Sequence, residues 1–188
     1  MGKWRLSSLD QCRGYAVVAM FLVNYAGEYH TTPAFLHHTN RNFGYPDSIM
    51  PLFFFCVGFA MRINLRPMRR LPYLRLLRRV VGLFAISFVL YVLIDQIASG
   101  WSHSWQKWLI RDLFQALATI AVVTVYLLPA IRLASLWLLA YVGAGACLYV
   151  GLSLLFYYDF AMSFPVIDGG PLGFLTWALP TAAGCWAW

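Results

Sequence analysis

What most constrains this chain is the placing of its few charges. Seven of its fourteen Lys and Arg residues, Arg62, Arg66, Arg69, Arg70, Arg75, Arg78 and Arg79, fall between two apolar runs. Six of its seven acids, Glu28, Asp47, Asp95, Asp112, Asp159 and Asp168, fall in or beside other segments that separate such runs. Alternating basic and acidic connections along an apolar chain are the pattern of a protein that crosses a membrane several times, with the Lys/Arg-rich connections cytoplasmic. Composition agrees. Charged residues make up 11% and hydrophobic residues 61%, where a soluble domain carries about 25% charged residues.

Each bilayer crossing needs about 20 apolar residues. Six runs meet that need, at about 9–26, 48–64, 77–97, 110–128, 133–156 and 172–188. The expected fold is therefore all-α, a polytopic membrane helix bundle with its N-terminus in the cytoplasm. Segments 27–46, 98–109 and 157–171 are then external. Residues 1–188 read as one transmembrane domain, and the last run ends the sequence within apolar residues, as a truncated domain would. The first run is not a cleaved signal: Asp10 and Arg13 precede its apolar stretch, Asn24 interrupts its end, and no small-residue cleavage site follows.

The net charge of +7 does not point to nucleic acid, because eleven of the basic residues (Lys3, Arg5, Arg13, the cluster of seven and Arg132) lie on the predicted cytoplasmic side. The expected partner is the lipid bilayer. Cys12, Cys56, Cys147 and Cys185 form no Cys-x-x-Cys pair, so neither a disulfide framework nor a metal site is expected. They read as small buried hydrophobes.

Polar residues at membrane depth are candidates for function, because each is costly without a partner. Here they are Asn24, the histidines His30, His37 and His38, Asp47 and Gln115. A loop as long as 27–46 is often functional. A histidine in it can act as a general base or accept an acyl group. Asn24 can donate a hydrogen bond to an oxyanion. Asp47 can orient an imidazole or cap a helix. A cluster that only satisfies loop backbone is the plainer alternative.

The run Arg5-x-x-Ser8-Leu9-Asp10-x-x-Arg13-Gly14-x-Ala16, followed by Met20-x-x-Val23-Asn24-Tyr25-x-Gly27, resembles the first-helix signature of the heparan-α-glucosaminide N-acetyltransferase family. That family continues with a His, an Asp and an apolar run ending in Gly. Here these are His37 or His38, Asp47, and Met50-Pro51-Leu52-Phe53-Phe54-Phe55 to Gly58. A later family element, Gly-Val/Ile-Leu-Gln-Arg, is matched in part by Asp112-Leu113-Phe114-Gln115-Ala116, with Ala116 in place of the Arg. Asp168-Gly169-Gly170-Pro171-Leu172-Gly173 also looks like bacterial relatives.

The resemblance implies transfer of an acyl group, usually acetyl, from a cytosolic acyl-CoA to a sugar or similar acceptor met from outside. It implies a multi-pass protein of a bacterial inner membrane, no metal, and allows a homodimer. Carried over by position, His37 or His38, Asn24 and Asp47 are catalytic, and Arg13 and Gln115 contact the cofactor. His37 keeps the family's spacing to the Asp, and His38 keeps the spacing to an Asn, here Asn42. The competing expectation is a transporter or channel half in which the same residues line a permeation path. A proton path would spread ionisable groups through several helix centres. An inactive fragment is the third alternative.

Overall fold

The computed structural model describes residues 7–26, 29, 32–36, 44–68, 72–101, 108–163 and 168–188, and their regular structure is all helical. Helix α1 is Ser7–Ala26, α2 is Tyr45–Leu65, α3 is Tyr73–Ala98, α4 is Ala116–Leu127, α5 is Ser135–Ser163 and α6 is Phe174–Trp186. Among the described residues, three helices are long and apolar enough to cross a membrane: α2, α3 and α5. Helix α4 is apolar but shorter, at 12 residues. The chain divides into two compact units, Met1–Asn64 with Pro180–Trp188, and Leu65–Leu179.

In the first unit α1 and α2 form an antiparallel hairpin. Ala16, Ala19 and Val23 of α1 pack on Ile49 near the start of α2, with Leu52 and Phe53 at the edge. The small alanines let the two helix axes approach. Further along, α2 meets the end of α6 backbone to backbone. A Cβ on Gly58 would collide with the Thr181 carbonyl, and one on Gly184 with the Phe55 carbonyl. This explains the glycine that ends the apolar run of α2. The Cys185 thiol adds a 3.1 Å hydrogen bond to the Gly58 carbonyl.

The basic cluster is not uniform. Arg66, Arg75, Arg78 and Arg79 are exposed, as a cytoplasmic patch would be, but Arg62 is only 1% exposed. It sits inside α2, not after it, and α2 turns it into the packed side of the unit.

The second unit is marked by three π-helical turns: Phe88–Leu93 within α3, Trp108–Asp112 before α4, and Ser153–Tyr157 within α5. Such turns insert one residue into the helical repeat and redirect the side chains around it, often at functional sites. Two sequence expectations need correcting here. The fourth run does not form one helix from 110. It breaks at 113–115, and α4 starts at Ala116 because Gln115 is extended (φ −92°, ψ −170°). The buried Ser87 hydroxyl accommodates the break by donating 2.9 Å to the Leu113 carbonyl. The fifth run does not end at 156. It continues through Ser163, so Asp159 is a helical residue rather than part of a loop. Helices α4 and α5 are joined by Tyr126 and Tyr141, whose rings stack at 4.8 Å, and each hydroxyl donates to the other's backbone carbonyl.

Candidate functional site

The first unit holds Asn24, Asp47 and Arg13. Asn24 lies in the last turn of α1, and Asp47 is the third residue of α2. The antiparallel pairing puts them at the same end of the hairpin. Asn24 is exposed, so its amide is open to a reacting group. Asp47 is half-buried. Its Oδ2 accepts the Gly44 N–H at 2.8 Å, and its own N–H donates to the Gly44 carbonyl at 3.2 Å. This reciprocal pair closes the first turn of α2. Pro51 has no N–H, so the Asp47 carbonyl lacks the usual i+4 helical donor.

Arg13 is exposed near the opposite end of α1, with Asp10 one turn before it on the exposed side. His37 and His38 lie outside the described residues, as do Glu28, His30 and Asn42.

The second unit holds Gln115, and around it lies a cavity of about 290 Å³. Leu90, Tyr91, Ile94, Asp95 and Ala98 of α3 form one wall, and Arg111, Asp112 and Gln115 form the other. Two of the three π turns contribute: Tyr91 comes from the first, Arg111 and Asp112 from the second. Asp112 is 4% exposed, and its Oδ1 lies 3.6 Å from Arg111 Nε.

The third π turn acts at the adjoining segment. Its Tyr157 hydroxyl donates to the Gly169 carbonyl at 2.6 Å and accepts the Leu172 N–H at 3.1 Å. Trp177 Nε1 donates to the Asp168 carbonyl at 3.0 Å. Gly169 and Gly170 have φ of +80° and +64°. Both values favour glycine strongly. A Cβ on Gly173 would collide with the Asp168 carbonyl. The Asp-Gly-Gly-Pro-Leu-Gly run is thus a clamped turn, and what it presents is the Asp168 carboxylate. That carboxylate accepts the Ala116 N–H at the first residue of α4 and acts electrostatically on Tyr91. A carboxylate is favourable at a helix N-terminus. Burial nevertheless pushes Asp168 up from the ordinary 3.8 to about 6, with the Ala116 N–H opposing the shift.

The sequence pointed to Gln115 but not to its cavity companions Tyr91, Asp95 and Arg111, nor to Asp168, which reaches Ala116 and Tyr91 beside them. Asp112 carried a signal, since it is an acid inside an apolar run. Tyr91 and Arg111 come from π turns, Asp95 from the α-helical end of α3 one turn after Tyr91, and Asp168 from the glycine turn. The lining carries two carboxylates, Asp95 and Asp112, against one guanidinium. Such a site favours amines and hydroxyls as donors and disfavours phosphate. No group of three or more His, Cys, Asp or Glu side chains is placed to hold a metal among the described residues.

A family model described as heparan-alpha-glucosaminide N-acetyltransferase, catalytic, matches residues 5–166. No curated protein and no solved structure matches the chain.

Proposed function

From the premise that the chain belongs to the heparan-alpha-glucosaminide N-acetyltransferase catalytic family, we propose that it moves an acyl group, acetyl by preference, from a cytosolic acyl-CoA to an amine or hydroxyl of a sugar-like acceptor. The observation that carries this reading is the family match, which covers the Asn24 signature, both histidines and Asp47. The apolar α2, α3 and α5 support a membrane setting.

In this reading His37 or His38 removes the acceptor proton or carries the acyl group, and both histidines remain candidates. Asn24 donates to the oxyanion of the tetrahedral intermediate. Asp47 fixes the start of α2 so that the segment between the two helices has a defined anchor. Arg13, at the predicted cytoplasmic end of α1, is suited to a CoA phosphate. Gln115 is assigned to the acceptor rather than to CoA. Its neighbours Asp95 and Asp112 would repel phosphates and accept hydrogen bonds from hydroxyl or ammonium groups.

The test is CoA release from acetyl-CoA by the purified protein with glucosamine as acceptor. Asn24→Ala should lower kcat by about 10²- to 10³-fold. Asp95→Asn should raise the glucosamine KM and leave the acetyl-CoA KM unchanged. A rise in the acetyl-CoA KM alone would move the cavity to the cofactor side. Full turnover by the double variant His37→Ala, His38→Ala would remove the histidines from the mechanism.

A further inference from the structure

The sequence offered the four cysteines as small hydrophobes, and for Cys185 burial beside Gly58 fits that role. Cys12 and Cys56 are different. They come from separate helices of the hairpin, 44 residues apart in sequence, and their sulfurs are 3.2 Å from one another. Both are free thiols. Cys12 is half-buried in the second turn of α1, while Cys56 is 1% exposed in the middle of α2. Closing the pair to an S–S bond of about 2 Å needs a movement of about 1 Å. The surrounding contact is between small side chains, Ala16 and Ala19, that permit close approach.

We propose that Cys12 and Cys56 are an oxidant-responsive pair that forms a disulfide between α1 and α2 under a peroxide. The partly exposed Cys12 reacts first. Its sulfur attacks one peroxide oxygen, the O–O bond breaks, and the products are a sulfenic acid and water. The Cys56 sulfur then attacks the Cys12 sulfur, the S–O bond breaks, and the hydroxyl leaves as a second water with the Cys56 proton. The sum is two thiols and one hydrogen peroxide to one disulfide and two waters. Each sulfur gives up one electron, and the peroxide takes both.

The asymmetry of exposure sets this order, because a peroxide reaches Cys12 before Cys56. Cys147, exposed in the second unit, has no such neighbour among the described cysteines and is the residue that would link separate chains. The closed loop contains Asn24, His37, His38 and Asp47. Oxidation therefore ties the two helices that bound the candidate catalytic segment. The inference stands on the hairpin geometry and does not use the acyl-transfer reading.

Hydrogen peroxide is added to the full chain in detergent, with Cys147→Ser to suppress links between chains. The protein is then blocked with iodoacetamide and digested with trypsin without reductant. The expected product joins the peptide of residues 6–13 to that of residues 42–62, at their summed mass less two hydrogens. Dithiothreitol should separate them. The oxidised protein should also unfold at a higher temperature than the reduced one, and Cys56→Ser should show neither the joined peptide nor the shift. Cys12→Ser serves the same purpose if the first variant does not fold. Recovery of both peptides singly alkylated after peroxide, or as sulfinic and sulfonic acids with no joined product, would overturn the proposal.

Discussion

The two units handle polar residues in opposite ways. In the α1–α2 hairpin the helices keep α geometry, and apart from Arg62 the interior is closed by alanine, glycine and apolar side chains. The family signature lies there, and its Asn24 and Asp47 sit at the hairpin end. In the second unit three segments depart from α geometry, and side chains from them contribute to a cavity of mixed polar and apolar lining and to the Asp168 turn. A motif and an irregular backbone mark different kinds of candidate site. The hairpin carries its motif residues, Asn24 and Asp47, on a standard scaffold. The second unit spends helical regularity to collect polar groups that no single helix face could hold.

The hairpin's scaffold can be broken most severely at Gly58. Gly58→Leu must separate α2 from the end of α6, and the loss should exceed about 4 kcal/mol or prevent folding. Gly14, in the same signature, has nothing within 4 Å of the position a Cβ would occupy. Gly14→Ala should therefore leave the unfolding temperature unchanged or slightly raised. Equal damage from both variants, by thermal unfolding in detergent, would contradict the packing role assigned to Gly58.

The second unit should be the pH-sensitive one. Asp168 has its folded value raised to about 6 from an ordinary 3.8. The folded chain thus holds more protons than the unfolded chain between these values. Stability contributed by this group is greatest at low pH, falls as pH rises through about 4 to 6, and levels off above. The total fall is on the order of 3 kcal/mol. Asp168→Asn should remove this dependence, so that the difference between variant and wild type grows across the same window. A flat difference would show that Asp168 is not the buried acid described.

A smaller effect tests the clamp itself. Tyr157→Phe removes a donor to Gly169 and an acceptor from Leu172, a loss of about 1–2 kcal/mol. Because the clamp carries Asp168, this variant should also weaken the pH dependence. Smallest of all, Asp47→Ala should cost about 1 kcal/mol through the cap on Gly44. An activity loss from Asp47→Asn much larger than its stability loss would add a catalytic role to the cap.

The helical class and the membrane character were legible in the sequence, because apolar run length and charge placement are set by the bilayer itself. The sequence put Asp47 at the opening of α2, which begins two residues earlier at Tyr45, and it gave no sign that Gly58 meets the Thr181 carbonyl. The break at 113–115 was not legible. Leu113 and Phe114 continue the apolar run, and only the tertiary bonds from Ser87 to Leu113 and from Ala116 to Asp168 reveal why the helix stops there. Arg62 was read with its neighbours because sequence proximity hides burial. The cavity was illegible for a related reason. Tyr91 and Asp95 share one face of α3, but nothing in the apolar pattern joins that face to Arg111, Asp112 and Gln115 across the turn that precedes α4.

Membrane acyl transfer can be watched in liposomes. The full chain is reconstituted with glucosamine inside, and acetyl-CoA is added outside. With the N-terminus outward, the account predicts N-acetylglucosamine inside the vesicles, CoA released outside, and loss of both in Asn24→Ala. Unmodified glucosamine crossing the membrane with no CoA released would contradict it and would make the chain a transporter.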